Sequence, residues 1–209
     1  MTDTITLYAH MFSSRAERCL WTLNELGLEH DVKRIDYNKG ELTTPEFLAI
    51  SPGGKIPALT HGDRSLTEST AICEYVARLK PEGRMLPETA DEQADYSRLM
   101  HYLITEVEAY LWVADQAGRL KALYPWPDGT AEFAKKRVAK NIRAVAHMMD
   151  DSSEFACCGR LTVVDVLMVQ IIGWARMYKI DMPEKLLAHR KMMMARPACP
   201  ESMKPKSAA

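Results

Sequence analysis

The residues best suited to chemistry lie in the segment 51–77, SPGGKIPALTHGDRSLTESTAICEYVA. Glu68 and Ser69 open an amphipathic helix there, so a carboxylate, a hydroxyl group and unpaired backbone N–H groups meet at one helix N-terminus. Such a terminus is a natural site for a small anionic ligand. Pro57 begins the strand upstream. Because proline has no N–H to give to a neighbouring strand, the backbone of Ile56 is free to hold a ligand.

The elements that carry these residues form an α/β pattern over about the first 80 residues. The order predicted from hydrophobic periodicity is β-α-β-(α)-β-β-α. The segments are a strand at 5–10, a helix at 15–26, a weaker strand at 29–36, a short helix opened by Thr44-Pro45, a hairpin of strands 56–60 and 64–66 around His61-Gly62-Asp63, and a helix at 68–79.

The remainder of the chain is predicted to be helical. Residues 81–90 are rich in Pro and Gly and predict a linker, which gives an α/β domain at 1–80 and an all-α domain at 91–209. Thr162 and Asp165 have the spacing of a capping box, which we assign to folding. The predicted helices are one long helix from 91 to about 115, then 131–149, 163–178 and a last one from Pro183 to about Arg196. The helix at 163–178 is apolar on nearly every side, which indicates burial.

This order of elements, together with Ile56-Pro57 and Glu68-Ser69, resembles the glutathione S-transferase family over nearly the whole chain. The resemblance implies a thioredoxin-like N-terminal domain followed by an all-helical domain. It also implies a transferase that activates the thiol of its co-substrate, glutathione, as a thiolate for attack on a small apolar electrophile, as in detoxification. Conjugation, dehalogenation, ether cleavage and peroxide reduction are all open outcomes.

The resemblance carries the glutathione site over residue by residue. In the family the proline is cis, and the residue before it, here Ile56, pairs through its backbone with the cysteinyl part of glutathione. Glu68 corresponds to the residue that pairs with the α-ammonium group, and Ser69 to the one that binds the α-carboxylate. Lysine side chains reach the glycyl end. The matched glutathione-binding positions are Lys39, Lys55, Ile56, Pro57, Glu68 and Ser69.

The first loop offers two candidates for the catalytic serine. A helix N-terminus favours ionisation of a nearby thiol, and a hydroxyl that donates to sulfur favours the thiolate further. Several classes of the family place the catalytic residue four positions before an arginine, here Arg18, which selects Ser14. Other classes use the first member of a Ser-Ser pair, which selects Ser13. Either serine could instead only cap the helix. Tyr8 is similar to the tyrosine of other classes but lies within the predicted strand.

The electrophile site is expected between the first loop and the long helix. The chain ends soon after Arg196-Pro197, which favours an open pocket. Since aromatic stripes at helical spacing usually belong to a core, a packing role is the competing interpretation for every lining residue. The lining candidates are Met11, Phe12, Tyr102, Val107 and Tyr110.

Composition excludes several other classes of function. The formal net charge of −1 gives no general attraction to nucleic acid, and no apolar run is long enough for a membrane span. The six histidines are scattered without metal-ligand spacing, so no metal is expected. The five cysteines include no CxxC motif, and no secretory signal opens the chain, which favours the cytoplasm. Cys157 and Cys158 are too close for an easy disulfide, which favours a packing role.

Two alternatives to the transferase remain open. A non-catalytic glutathione-binding or regulatory member of the fold would have kept the site without the chemistry. A glutathione-dependent oxidoreductase or lyase would use glutathione itself as the reactive thiol, because positions 13 and 14 are serine and not cysteine. The resemblance also implies a homodimer.

Overall fold

The computed structural model describes residues 4–10 and 14–204. The chain forms two compact units. The first holds the described residues up to Leu86 together with those from Met194 onward, and the second runs from Pro87 to Met193.

The first unit contains a four-stranded mixed sheet. Its elements are β1 (Ile5–Ala9), α1 (Ala16–Glu25), β2 (His30–Arg34), α2 (Pro45–Ile50), β3 (Ala58–His61), β4 (Arg64–Thr67) and α3 (Ser69–Leu79), with short 3₁₀ turns at Tyr37–Lys39, Glu41–Thr43 and Pro81–Gly83. The strands lie in the order β2-β1-β3-β4. β1 and β2 are parallel, whereas the other two pairs are antiparallel.

Alternation of side chains along β1 explains how the sheet contributes to the core. Leu7 and Ala9 have no exposed surface, while Thr6 and Tyr8 are partly exposed. α1 contacts both β1 and α3, and it contributes Trp21 and Leu23, which are fully buried. Burial of such side chains stabilises the fold by about 25 cal/mol for each Å² of apolar surface removed from water.

Local signals set the element ends as the sequence predicts. The Thr44 hydroxyl accepts the Phe47 N–H at 3.3 Å and caps α2, which has Pro45 in its first turn. In the hairpin, His61 pairs with Arg64, so β3 ends one residue later than predicted, and it begins two residues later, at Ala58. The turn is then only two residues long, and Gly62 supplies its positive φ of 56°.

The C-terminal segment packs with the first unit, although the sequence-based boundaries put it in the helical domain at 91–209. The Arg196 guanidinium donates to both carboxylate oxygens of Glu25, at 2.7 and 3.0 Å. Asn24 donates its side-chain N–H to the Ala198 carbonyl at 3.3 Å. These contacts join the chain after Met194 to the end of α1, and sequence periodicity carries no signal for them.

The second unit is helical throughout its regular elements. They are α4 (Ala90–Tyr102), a π-helical segment (Leu103–Glu108), α5 (Ala109–Ala117), α6 (Thr130–Met148), α7 (Val163–Met177) and α8 (Glu184–Met194). Residues 163–172 of α7 are all buried, as its all-round apolar surface predicts. Within the described parts of the chain, no helix is both long and apolar enough to cross a membrane.

The predicted long helix from 91 to about 115 is present, but its middle is a π-helical segment that separates α4 from α5. The Asn141 side chain of α6 donates to the Glu106 carbonyl at 2.7 Å and to its carboxylate at 3.1 Å. A side chain that inserts into the helical hydrogen-bond pattern is a common cause of such irregularity. The π turn takes one more residue than an α turn, so it shifts the faces that α4 and α5 present.

The start of α7 is held by one buried carboxylate. Asp165 and Thr162 form the predicted capping box, with the Thr162 N–H donating to Asp165 at 2.8 Å. Asp165 also accepts the Ala156 N–H at 2.7 Å and bonds the His189 ring of α8 at 2.9 Å. All four residues are buried, so this network fixes two helices and the preceding loop around a carboxylate that has no access to water.

Candidate functional site

Three chain segments leave the sheet of the first unit at the same end. Ala58, the first residue of β3, pairs with Tyr8 in β1 and with Thr67 at the end of β4. Because both pairings are antiparallel, the residues just before β3 lie beside the residues just after β1 and β4. The register therefore brings Pro57, the loop that follows β1 and the start of α3 to one edge of the sheet.

Ser14 closes the loop between β1 and α1. Its hydroxyl donates to the His10 carbonyl at 2.6 Å and accepts the Ala16 N–H at 3.2 Å. The side chain is partly buried at the N-terminus of α1. The geometry thus places a hydroxyl where the helix end carries partial positive charge. Three predicted site residues lie outside the described part of the chain: Met11, Phe12 and Ser13.

Glu68 has an unusual backbone at the start of α3. Its φ of 63° with ψ of 110° is rare for any residue other than glycine and costs on the order of 1–3 kcal/mol. The Ile72 N–H donates to the Glu68 carbonyl at 2.9 Å and so forms the first bond of the helix. No side chain caps α3 at this position, and the Glu68 side chain is exposed. The N–H groups of the first turn therefore remain suited to an anionic ligand.

Arg18 is a site residue whose role the sequence interpretation missed. It is 1% exposed, and its guanidinium donates to the Ser69 hydroxyl at 3.3 Å. The Cys19 thiol donates to the Ser69 carbonyl at 3.4 Å. Two side chains of α1 therefore hold Ser69, the first residue of α3, in place. The available signal was a charged residue between Ala16 and Cys19 on a buried helix face, since a buried charge requires a partner.

The loop before Pro57 is fixed by another buried hydroxyl. Ser51, 1% exposed, donates to the Lys55 carbonyl at 2.8 Å and accepts the Lys55 N–H at 3.2 Å. The Ile56–Pro57 peptide bond is cis. Lys55 itself is exposed. The two Ser51 bonds thus fix the backbone just before Ile56, while the Lys55 side chain is exposed to solvent.

Two further candidates, Lys39 and Tyr8, belong to the first unit. The Lys39 side chain is 74% exposed, and its ammonium is 3.8 Å from the Asp36 carboxylate, a loose surface pair. Tyr8 lies in β1, as predicted, with its ring centroid 6.1 Å from that of Phe47 in α2 and the Lys33 ammonium 5.6 Å from it. The Tyr8 ring therefore packs against α2.

The other electrophile-site candidates belong to the second unit. Val107 has no exposed surface and packs in its core. Tyr102 is partly buried, and burial raises the pKa of its hydroxyl, so it remains a proton donor at neutral pH. The Tyr110 ring lies 5.1 Å from the Arg137 guanidinium and 6.4 Å from the Phe133 ring.

Comparison with known sequences connects this site with a family. The model of the glutathione S-transferase N-terminal domain matches residues 3–78. A probable glutathione S-transferase, GSTF2 of Oryza sativa subsp. japonica, is 46% identical over 77 residues, which span about a third of each protein (36%). Glutathione S-transferase 1 of Dianthus caryophyllus is 27% identical over 191 residues, 88% of this chain and 83% of that protein.

Comparison with solved structures agrees with the sequence relatives. A glutathione transferase homologue from Sulfitobacter, solved with bound glutathione, superimposes with a TM-score of 0.75 over 94% of this chain and 95% of that one. Its sequence identity is 22%, so this likeness shows the fold. The expected fold, a thioredoxin-like unit followed by a helical unit, is thereby confirmed, and residues 3–78 belong to the glutathione S-transferase N-terminal domain family.

Proposed function

We propose that this chain binds glutathione at the shared edge of the sheet and holds its sulfur as a thiolate that attacks a small apolar electrophile. The observation that carries the proposal is the N-terminus of α3. No side chain caps it, its Glu68 has a rare backbone conformation, and a buried arginine fixes the Ser69 hydroxyl. The match of residues 3–78 to the N-terminal domain of glutathione S-transferases supports the same interpretation.

The chemistry of the tripeptide matches the groups at this edge. The α-carboxylate of its γ-glutamyl end would accept bonds from the Ser69 hydroxyl and the first N–H groups of α3. The exposed Glu68 carboxylate would pair with the α-ammonium group. The backbone of Ile56 would pair with the cysteinyl residue, as an added strand does. Lys55 and Lys39 would attract the glycyl carboxylate through solvent.

Ser14 would stabilise the thiolate by turning its hydroxyl from the His10 carbonyl to the sulfur. The neutral bond that it gives up contributes about 0.5–1.5 kcal/mol, and a bond to an anion is roughly twice as strong. The exchange is therefore favourable once the sulfur is charged. The partial positive charge at the N-terminus of α1 would lower the pKa of the thiol further.

A second candidate function is glutathione binding without catalysis. It is favoured by one observation: the Ser14 hydroxyl already has a donor and an acceptor within the protein and so serves the loop. In that case glutathione would bind with an ordinary thiol pKa. The thiolate signal of bound glutathione separates the two functions.

Other parts of the proposal follow from the family. Tyr102 and Tyr110 are the second unit's candidates for contact with the electrophile, where a tyrosine hydroxyl would protonate a leaving group or stabilise an oxyanion.

We further propose a homodimer located in the cytoplasm. Analytical ultracentrifugation tests the dimer, because a sedimentation mass equal to that of one chain at micromolar concentration would contradict it.

Two substitutions at α3 test the binding site. We expect Ser69→Ala and Glu68→Gln each to remove a bond to a charged group of glutathione, about 1.5–3 kcal/mol. The dissociation constant measured by calorimetry should then rise roughly ten- to a hundredfold. Ser65→Ala, at an exposed position of β4, is the matched control and should bind as wild type does. Unchanged affinity in both site variants would contradict the proposed site.

A further inference from the structure

A second group of reactive atoms lies in the second unit, in the loop between α6 and α7. The sulfur atoms of the neighbouring residues Cys157 and Cys158 are 3.7 Å apart. Cys157 is buried at 4% exposure, and Cys158 is partly exposed. Both line a cavity of about 330 Å³ whose other walls are mainly polar. The proposed glutathione function uses neither thiol.

The backbone brings these two sulfurs together and holds them there. In extended chain, successive side chains point in opposite directions, so neighbouring sulfurs would lie far apart. Cys158 instead has a φ of 60°, a left-handed conformation that is uncommon outside glycine. The Arg160 guanidinium fixes this turn by donating to the Cys158 carbonyl at 3.0 Å, while it also pairs with Glu92 at 2.7 Å. The two thiols are therefore preorganised.

Two common roles of a cysteine pair, a disulfide bond and a divalent metal site, do not suit this one. A disulfide needs Cα atoms about 4.4–6.8 Å apart, whereas neighbouring residues joined by a trans peptide are held at about 3.8 Å. Divalent metal ions take thiolates, but burial raises the pKa of both thiols and keeps them protonated at neutral pH. In the described parts of the chain, no group of three or more His, Cys, Asp or Glu side chains could hold a metal ion.

We propose that Cys157 and Cys158 form a two-thiol site for trivalent arsenic, taken up as neutral arsenous acid. The arsenic atom bridges the two sulfurs, so the strain of a direct S–S bond does not arise. Two S–H and two As–O bonds break, two As–S bonds form, and both thiol protons leave with hydroxide as two water molecules. The oxidation states do not change, and arsenic keeps one hydroxyl group.

The cavity suits the product of this exchange. A volume of about 330 Å³ is several times the roughly 30 Å³ share of one water molecule, so the arsenic and its remaining hydroxyl fit. Asp150 lines the same cavity. The hydroxyl and N–H of Ser152 hold the pKa of the Asp150 carboxyl below its usual range, so it is ionised at neutral pH. Asp150 is therefore available to accept a bond from the arsenic-bound hydroxyl.

Mass spectrometry of the intact, fully reduced chain tests the proposal. The protein is treated with sodium arsenite, freed of excess reagent and weighed. We expect one adduct with the mass of arsenous acid less two waters. The adduct should be lost in Cys157→Ser and in Cys158→Ser, since one thiol alone does not retain arsenic. Circular dichroism of each variant verifies that it is folded, and the partly exposed position 158 tolerates serine best.

The chain supplies a matched control in a second pair of neighbouring sulfurs. Cys19 and Cys73 are 3.9 Å apart but have no exposed surface. Cys73→Ala should therefore keep the adduct. No adduct in wild type, an adduct that persists in Cys158→Ser, or one that disappears in Cys73→Ala would each overturn the proposal. Loss of three waters would also overturn it, because a third thiol would then be bound.

Discussion

Replacement of Ser14 by alanine is expected to lower kcat/KM for a chloronitroarene by about 10²- to 10³-fold, the usual effect of removing one donor to a developing or stabilised anion. The affinity for glutathione should change little, because the γ-glutamyl end is bound at α3. The pKa of the bound thiol should rise towards the value of about 8.5 for a free cysteine thiol. Steady-state rates and a pH titration of bound glutathione measure both effects.

The matched control is Ser13→Ala, which removes the neighbouring hydroxyl. If Ser14 is the thiol activator, this variant should retain the wild-type rate and thiol pKa. The opposite pattern, with only Ser13→Ala losing the thiolate, would assign the role to Ser13. A Ser14→Ala protein that is fully active and folded would show that the Ser14 hydroxyl serves the loop alone, through its bonds with His10 and Ala16.

Replacement of Asp165 by alanine is expected to reduce the free energy of unfolding by about 3–5 kcal/mol, because it leaves several buried donors without a partner. These donors are the backbone N–H groups of Ala156 and Thr162, the Thr162 hydroxyl and the His189 ring. Asp165 has no exposed surface, so water cannot replace the lost acceptor. Urea unfolding followed by tryptophan fluorescence measures the change.

A surface aspartate of the same unit provides the control. Asp181 accepts a bond from Arg143 at 3.3 Å, but its side chain is 90% exposed. Exposed pairs contribute between nothing and about 1 kcal/mol, so Asp181→Ala should unfold nearly as wild type does. If the two variants unfold alike, the buried network does not hold α7 and α8 as described.

Local signals in the sequence predict most of the elements correctly. The ends of α2 and α7 are set by caps within three residues of chain, and the hairpin by a glycine turn, so each can be read without knowledge of distant contacts. The π-helical segment could not be predicted in this way, because the Asn141 side chain that bonds Glu106 comes from another helix, 35 residues later.

The candidate site shows the same division. Glu68, Ser69 and the Ile56–Pro57 step form a motif within one stretch of chain, so the sequence alone predicts them as binding positions. The bond from Arg18 to Ser69 spans 51 residues and depends on how α1 packs on α3. In the sequence, Arg18 is only a charged residue on an apolar helix face. Its partner, Ser69, can be identified only from the way the two helices pack.

The measurement that tests the central claim most directly is the ultraviolet absorbance of the thiolate as wild-type protein is titrated with glutathione at neutral pH. We predict saturable binding accompanied by a thiolate band, which shows that the site both holds glutathione and lowers the pKa of its thiol. Binding without the band would contradict thiol activation and leave a glutathione-binding protein. Absence of binding would contradict the assignment of Ile56, Glu68 and Ser69 to the site.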